Sequence, residues 1–467
     1  MRCNVLLRAS PSAAHKVNAG NGHMFRCILF LFLFGMSALP SAGAPSSPDS
    51  LQLSEEERPP QRGGAQPLPA PLSVDAFTEA VLTHNASLEA MRQAVLAAVA
   101  QMKPAGRLED PMLSVSAAPR TFRSAIGASG DIEVSQALPW WGTLDARRQV
   151  ARAETEAATH DLDALRLRLA DLAREAFSDW AYVHRALQIN ATNHSVLTEL
   201  GEVARARYST GQAPQEDILQ ADVERSMLKQ QRLTWERDQT LAQARMNALL
   251  NRAPQAPIPE PRELPAMKSL PAEEVLAERA LAHPQLEGLA AQQHAAVVRQ
   301  RLAEKERYPK FGVSAGYNNM WSDPAMRPML GLSFSVPLDQ GKYRATIDAA
   351  RAEARRAAST LQDQRASMLA DLAAAYASVR EAGQSLELYR NELVPLARDT
   401  LDVTRAEYES GRGDFLNVLT AEQHRLDAEL GLARKQAEYH RALAELDRAS
   451  GGGLFAPDST FRATGTP

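Results

Sequence analysis

Four short runs of the chain alternate apolar residues with small or polar ones. The apolar positions are Leu113, Val115 and Ala117; Ile132, Val134 and Leu138; Phe311, Val313, Ala315 and Tyr317; and Leu330, Leu332, Phe334 and Val336. This period of two predicts strands with one apolar and one polar face. A transmembrane barrel strand has the same pattern, whereas a soluble sandwich needs more than four strands.

The other patterned segments predict very long helices. Residues 143–207 contain no proline and a single glycine, Gly201, so a helix close to 100 Å in length is expected. Apolar residues step by three and four along it, as in a coiled coil, at Leu162, Leu165, Leu169, Leu172, Ala176, Trp180, Val183 and Leu187. The second half repeats this seam at Leu369, Leu372, Tyr376, Val379 and Leu386. Such a seam needs antiparallel partner helices.

The two halves of the chain have the same order of motifs. PMLSVSA at 111–117 matches PKFGVSA at 309–315, and the motif Tyr-x-x-Gly at Tyr208 recurs at Tyr408. The offset drifts only from 198 to 200 residues, so we interpret the chain as a two-fold duplication. The predicted repeats are residues 72–253 and 271–452, joined by a Pro-rich linker at 254–270.

Each repeat is expected to begin with one helix, at about residues 73–102 and 271–306. Two strands follow, and then a long helical hairpin. The hairpin turns at Tyr-x-x-Gly, where glycine is expected to adopt the left-handed conformation that ends a helix.

The N-terminal segment is typical of a signal peptide, assigned here to residues 1–44 with a start at Met1 or Met24. Its apolar run, residues 28–39, is too short to span a bilayer and is followed by small residues. Both cysteines lie within it, so the mature chain has no disulfide. Residues 45–71 are a Pro-rich lead segment without a core, and 453–467 are a flexible tail.

Charge excludes one class of partner. The chain has 52 Lys and Arg against 56 Asp and Glu, and four of the basic residues lie in residues 1–44, so the mature chain has a formal net charge of −8. A nucleic-acid partner requires a basic face and is therefore not expected.

The four strands are too few to close a membrane barrel, because the smallest bacterial barrels use about eight. The sequence therefore predicts a cyclic oligomer.

The duplicated order and the paired motifs YSTGQAPQEDILQA and YESGRGDFLNVLTA resemble the TolC-like outer-membrane efflux family. The turns LPWWGTLDARRQVA and VPLDQGKYRA are also similar to those of the family. The resemblance implies a mainly α fold with a transmembrane β-barrel portion. Three chains would contribute four strands each to a twelve-stranded barrel, and their helical hairpins would form a periplasmic tunnel.

The same resemblance implies a function and partners. The protein would be the outer-membrane channel of a tripartite efflux pump in a Gram-negative bacterium. It would work as a homotrimer, in contact with outer-membrane lipid, a periplasmic adaptor and an inner-membrane pump. The rival interpretation is a periplasmic coiled-coil adaptor or structural protein without a channel, but an adaptor has one hairpin flanked by compact β domains.

The hairpin tips are expected to be the gate or the adaptor-docking site. We call residues 208–217 the first tip and residues 408–417 the second tip. The candidate residues are Tyr208, Gly211, Asp217, Tyr408, Gly411, Arg412, Asp414, Asn417 and Thr420. Asn417 and Thr420 occupy the positions where the family has two acids, and Gly413 replaces its arginine. A carboxylate ring is therefore absent, or has moved to Asp414, Glu216 or Asp217.

Two further sets of residues suggest where the membrane interface lies and what the cargo is. Aromatic residues near the strand ends, Trp140, Trp141, Tyr317 and Trp321, fit the membrane interface. Methionine thioethers at Met320, Met326 and Met329 suit Cu(I) or Ag(I), so metal cations are the preferred cargo, with drugs or other small organic compounds as the alternative. The histidines form no metal-binding pair, so neither an enzyme, nor a metal site, nor a cofactor is expected.

Overall fold

The computed structural model describes residues 68–118, 129–267, 269–319, 321 and 323–455. The predicted signal peptide, both cysteines, most of the lead segment, Met320 and the end of the tail lie outside these residues. The first half contains α1 (Val74–His84), α2 (Ala86–Ala105), β1 (Met112–Ala118), β2 (Ser129–Leu138), α3 (Thr143–Ser209) and α4 (Gln215–Leu249). The second half contains α5 (Glu273–Leu281), α6 (Pro284–Glu306), β3 (Lys310–Asn318), β4 (Pro328–Ser335), α7 (Gln340–Leu388), α8 (Val394–Glu409) and α9 (Phe415–Ala449).

The prediction of one continuous helix at the start of each half was wrong. Asn85 separates α1 from α2, and its side chain accepts hydrogen bonds from the backbone N–H groups of Ser87 and Leu88. His283 separates α5 from α6 and accepts one from Gln285 at 3.0 Å. Each cap residue has an extended backbone, so the chain changes direction where a new helix begins.

The same two caps also bind the return helix of their own half. The Asn85 amide donates to the carbonyl oxygen of Leu249 at 2.9 Å, and Nε2 of His283 lies 3.1 Å from the carbonyl oxygen of Arg448. These carbonyls belong to the last turns of α4 and α9, where helices leave carbonyls without internal partners. Asn85 and His283 therefore perform equivalent tasks, one in each half.

The second hairpin has an interruption that the sequence pattern did not predict. A π-helical turn, Tyr389–Leu393, lies between α7 and α8, and the N–H of Val394 bonds to the carbonyl of Tyr389. Pro395 follows in the first turn of α8 and has no N–H to donate. The π-helical turn therefore lies beside Pro395, the place in this hairpin arm where the regular helical hydrogen bonding loses an N–H donor.

The four strands form one antiparallel sheet in the order β1-β2-β3-β4. Its central pair, β2 and β3, joins the two halves of the chain. The register places Val134 opposite both Leu113 and Ala315, and Ala315 opposite Leu330, so the predicted apolar positions share one face. We call this the apolar face. It is strongly exposed in the single chain, with Leu330 and Leu332 92% and 86% accessible to solvent.

The opposite side of the sheet, which we call the polar face, carries small and polar residues. One row across the four strands contains Ser114, Glu133, Gly316 and Met329. None of the helices in the described ranges has an apolar stretch that is both long enough and sufficiently free of charge to cross a membrane.

The helical cores form around α3, which packs against α6, α4 and α9. Most of the predicted seam is buried, including Leu169, Trp180 and Val183, whereas Leu172 in the first half and Leu369 in the second remain exposed in the single chain. Long helices in an assembly can bury such residues against another copy.

Ion pairs fasten α3 to the antiparallel helix α9. Arg448 bonds to Asp171 at 3.0 Å, and Arg174 bonds to Asp447 at 2.8 Å. Further along α3, Arg441 bonds to Asp179 at 2.7 Å. These contacts join the two halves far from the hairpin tips, so the tips are the part of the helical body that depends least on them.

Candidate functional site

Both hairpins turn in the same way. Gly211 and Gly411 have positive φ angles of 72° and 76°, as the Tyr-x-x-Gly pattern predicted. The N–H of Gly211 bonds to the carbonyl of Tyr208, and the N–H of Gln212 bonds to that of Arg207; the second tip repeats both bonds. This is a Schellman motif, in which a left-handed glycine lets the last carbonyls of a helix find donors.

The two tyrosines of the motif have different surroundings. Tyr208 is 47% exposed, whereas Tyr408 is only 3% exposed. The Tyr408 ring packs against the buried Phe415 with their centroids 5.2 Å apart. The repeat in sequence therefore conceals a structural asymmetry, because only the second tip buries its tyrosine.

Tyr408 bonds to the first hairpin. Its hydroxyl donates to Oδ2 of Asp217 at 2.9 Å, and both side chains are buried. Asp217 lies in the first turn of α4, where the positive end of the helix dipole stabilises a carboxylate. Burial, together with this hydrogen bond, raises the pKa of Tyr408 well above its usual range, so the hydroxyl remains a donor.

Arg207 completes this contact and was missed by the sequence analysis. It lies in the last turn of α3, and its guanidinium donates to the backbone carbonyls of Tyr408 and, at 3.2 Å, of Glu409. The same group lies 4.7 Å from the centroid of the Tyr408 ring. The positive charge thus sits at the negative end of α8 and over an aromatic face, two favourable positions for a cation.

The location of Arg207 also bears on the arginine expected in the second tip. Gly413 stands at that position, and a Cβ there would come within 3.1 Å of the Glu407 side chain. The second tip therefore has no room for an added side chain without adjustment. In this chain a cation of the first hairpin, Arg207, contacts the second tip.

Beneath these polar contacts an apolar cluster joins the two hairpins. Its buried members are Leu197, Leu200, Ala204, Ala221, Leu228, Leu401, Tyr408, Phe415, Val418, Leu419 and Ala421. They come from α3, α4, α8 and α9, so all four helices that reach the tips share one core. Opening the tips would expose part of this core to water, which opposes separation.

Four of the predicted tip residues lie outside this contact. Asp414 begins α9, and Arg412, Asn417 and Thr420 are exposed around it. Arg412 bonds to Ser410, and Thr420 bonds back to the carbonyl of Leu416. The structure therefore brings together Tyr408 and Asp217 among the candidates. It leaves Arg412, Asp414 and Asn417 exposed on the second tip, and Thr420 exposed just beyond it in α9.

The predicted interface aromatics lie at opposite ends of the sheet. Trp140 stacks on Tyr308 with centroids 4.7 Å apart, and it lies 5.9 Å from Phe311 of the apolar face. Trp141 packs edge-on against Trp140 and is largely exposed. Tyr317 ends β3 at the far side and is exposed, as is Trp321 in the following loop.

Side chains suited to metal chemistry are scattered. Within the described ranges, no group of three or more His, Cys, Asp or Glu side chains could hold a metal ion. Met326 is exposed in the 3-10 turn Pro324–Met326, and Met329 lies opposite Gly316 on the polar face.

The fold and the tips together define a duplicated two-hairpin protein with an exposed apolar sheet, a construction suited to an outer-membrane channel. Residues 78–252 and 276–452 both match the model of the outer membrane efflux protein family, and the chain belongs to this family. The predicted family and the predicted outer-membrane location are confirmed. The family is one of channels and not of enzymes.

Similar proteins agree with this assignment. Over 143 residues the chain is 31% identical to outer membrane protein TolC of Vibrio cholerae serotype O1, strain El Tor Inaba N16961. That match covers 30% of this chain and 32% of TolC, about a third of the curated relative's length.

Solved structures match over a longer range. The outer-membrane channel OprN has a TM-score of 0.71 at 21% identity, covering 81% of this chain and 90% of OprN. VceC from Vibrio cholerae gives 0.70 at 19% identity and covers 81% and 96%. CusC gives 0.71 at 18% identity and covers 81% and 92%. The predicted fold class, mainly α with four antiparallel strands of a channel, is confirmed.

Proposed function

We propose that the protein is the outer-membrane channel of a tripartite efflux pump and exports its cargo passively. The observation that carries this proposal is the four-stranded sheet. One side is apolar and exposed, the other is small and polar, and among the described residues the edge strands β1 and β4 each have one side unpaired. In lipid, every backbone polar group needs a partner, so other copies must complete the sheet.

Three copies supply twelve strands, enough to close a barrel of the bacterial kind. The nine residues of β3 extend roughly 30 Å at about 3.3 Å per residue, which suits a tilted strand across the apolar part of a bilayer. The apolar face would contact lipid and the polar face would line the pore. A homotrimer is thus consistent with both the strand number and the family resemblance.

The helices would continue the pore as a tunnel. The 67 residues of α3 extend about 100 Å at 1.5 Å per residue. The tips would then lie at the periplasmic end of the tunnel, where an adaptor docks and an inner-membrane pump supplies the energy. The outward-facing Asp414, Asn417 and Thr420 are available for adaptor docking, or for lining the aperture.

The contact of Tyr408, Asp217 and Arg207 is proposed to hold the tunnel closed. It connects the end of α8 to both helices of the first hairpin through one buried and one partly buried hydrogen bond. Separation of the hairpins must break these bonds and leave a buried carboxylate without its donor, which is costly. Docking of a partner at the tips could offset this cost.

Metal cations are the proposed cargo, and small organic compounds are the second choice. The polar face carries Asp131 and Glu133 on β2, and Met112 and Met329 on the outer strands. Carboxylates lining a pore favour cations, and thioethers are soft ligands suited to Cu(I) and Ag(I).

Two experiments test the channel. The purified full-length protein, inserted into planar bilayers, is expected to conduct ions as a trimer, with its mass established by native mass spectrometry. Recovery of the mature protein in the soluble periplasmic fraction, without conductance, would instead support the coiled-coil adaptor. Deletion of the gene, followed by a panel of metal and drug sensitivities, tests the cargo: hypersensitivity restricted to organic compounds would refute metal export.

A further inference from the structure

A basic cavity lies beside the aromatic cluster at the end of the sheet where α6 and α7 meet the strands. It has a volume of about 650 Å³, and five basic side chains line it: Arg301, Lys305, Arg307, Arg344 and Arg351. The acidic lining residues are Glu304 and Asp348. The lining thus has an excess of three positive charges.

The position of the cavity follows from the chain order. Helix α6 leads into β3, and β4 leads into α7, so the two helices flank the base of the β3–β4 hairpin. Both helices belong to the same chain and pack against each other. All the residues that line the cavity therefore belong to one chain.

Much of the positive charge is left without a counter-charge. Asp348 pairs with Arg351 at 3.1 Å, and Lys305 donates to the carbonyl of Trp141. In the described part of the chain, Arg301 and Arg344 make no hydrogen bond or ion pair. Two guanidinium groups thus point at a concave surface with their donors available.

Aromatic residues connect this cavity to the apolar face. Tyr308 lines the cavity, stacks on Trp140, and receives a hydrogen bond from Arg307 at 3.1 Å. Trp140 in turn packs against Phe311 of the apolar face. Aromatic girdles of membrane barrels mark the level of the lipid headgroups, so the basic cavity lies on the periplasmic side of that level.

We propose that this cavity binds the headgroup phosphate of an anionic phospholipid, whose acyl chains lie against the apolar face. Arginine forks suit phosphate oxygens, which they can bind through two parallel hydrogen bonds. The excess of positive charge selects an anionic headgroup over a zwitterionic one. The inference rests on the proposed membrane placement of the sheet, and it adds a specific lipid site to the channel.

Native mass spectrometry tests the site on the full-length protein. The protein is reconstituted in vesicles with equal amounts of phosphatidylglycerol and phosphatidylcholine, then released, and the lipids that stay bound are counted. The test variant is Arg301→Gln with Arg344→Gln. The matched control is Arg365→Gln with Arg380→Gln, two exposed arginines further along α7 that remove the same charge.

The unaltered protein and the control are expected to retain phosphatidylglycerol preferentially. The test variant should lose this preference by roughly thirtyfold, because each of its two removed basic groups contributes about 1 kcal/mol near a lipid surface. Arg344→Lys, which keeps the charge and loses the fork, should fall between them. Equal retention of both lipids by the unaltered protein, or an equal loss in the control, would overturn the proposal.

Conductance of the same preparations separates this proposal from the channel itself. Normal conductance without a preference for phosphatidylglycerol would overturn the lipid site and leave the channel intact. Preferential retention without conductance would support the lipid site and refute the channel. Binding of inorganic phosphate without preferential retention of phosphatidylglycerol would also overturn the proposal, because the site would then bind only a free anion.

Discussion

The Tyr408 hydroxyl donates to the Asp217 carboxylate at 2.9 Å, and this bond joins the end of α8 to the start of α4. The two residues belong to different halves of a duplicated chain, 191 positions apart. Their counterparts do not repeat the bond, since Tyr208 is half-exposed and Asn417 stands at the position equivalent to Asp217. The bond between tyrosine and aspartate therefore forms once rather than twice, although the two tips have the same motif.

Replacing Tyr408 with phenylalanine should favour the open tunnel. The ring can still pack on Phe415, but Asp217 loses its donor while buried, which costs about 1.5–3 kcal/mol for a charged group. The open fraction should rise on the order of tenfold, measured as conductance in planar bilayers. Tyr208→Phe is the matched control, and it should leave conductance unchanged. Equal conductance of the two variants would contradict a closing role for this bond.

The same bond should survive alkaline conditions. The pKa of Tyr408 is raised by burial and by Asp217, so its proton, and the stability it confers, are lost only when the pH rises through that higher value. Between about pH 7 and pH 10, the ordinary tyrosine value, the closed state should hold. Conductance recorded across this interval should stay low. A rise centred near the ordinary value, absent from Tyr408→Phe, would disprove the prediction.

Removing the Arg207 guanidinium should loosen the second tip. Arg207→Gln deletes the charge at the end of α8 and the cation above the Tyr408 ring, each a contribution of roughly 0.5–1 kcal/mol. Conductance should increase, though less than for Tyr408→Phe. Arg205→Gln provides the control, because Arg205 lies two residues away on α3 and is exposed. If both arginine variants behave alike, net charge rather than the contact controls opening.

The sequence predicted this architecture well where the pattern depends on local residues alone. Alternation placed Leu332 and Val134 on one face of the sheet, and Gly211 and Gly411 gave both turns. Contacts between distant segments could not be read in this way. Arg207 reaches Tyr408 across 201 positions, and its own neighbours give no sign of that contact.

The sequence contains weak signals for the breaks between α1 and α2 and between α5 and α6. Asn85 is a common N-cap residue, and Pro284 after His283 is typical of a first helical position. Asparagine and proline are also tolerated within or between helices. Hydrophobic periodicity alone therefore favoured one continuous helix at the start of each half. Asn85 and His283 each make a second hydrogen bond, to carbonyls 164 and 165 positions away, and these bonds fix the two helix breaks. No local sequence pattern predicts them.

The exposed face of the sheet gives a prediction about assembly. Leu332→Arg places a charge on the apolar face, at a cost of about 2–4 kcal/mol near the middle of a bilayer. The neighbouring Ser333 points to the polar face, so Ser333→Arg should be tolerated and should instead alter ion selectivity. The measurement is the trimer yield in the outer-membrane fraction. Reversed yields for the two variants would mean that the sheet faces the membrane the other way.

His283 should make the helical body sensitive to mild acid. Burial lowers its pKa, and its Nδ1 must stay unprotonated to accept from Gln285. A depressed pKa means that its contribution is complete above the ordinary value of about 6.5, and is lost as the pH falls through the folded value. The loss should be about 1 kcal/mol, the usual contribution of a helix cap.

His283→Asn tests this argument, because Asn85 already performs the same two tasks in the first half without titrating. The variant should unfold at nearly the same temperature as the unaltered protein near neutral pH. Below about pH 6 it should be the more stable of the two, because asparagine accepts the Gln285 hydrogen bond at every pH. Buried groups elsewhere, such as His184, should leave some acid sensitivity in both proteins. Identical loss of thermal stability in acid would show that protonation of His283 does not break the cap.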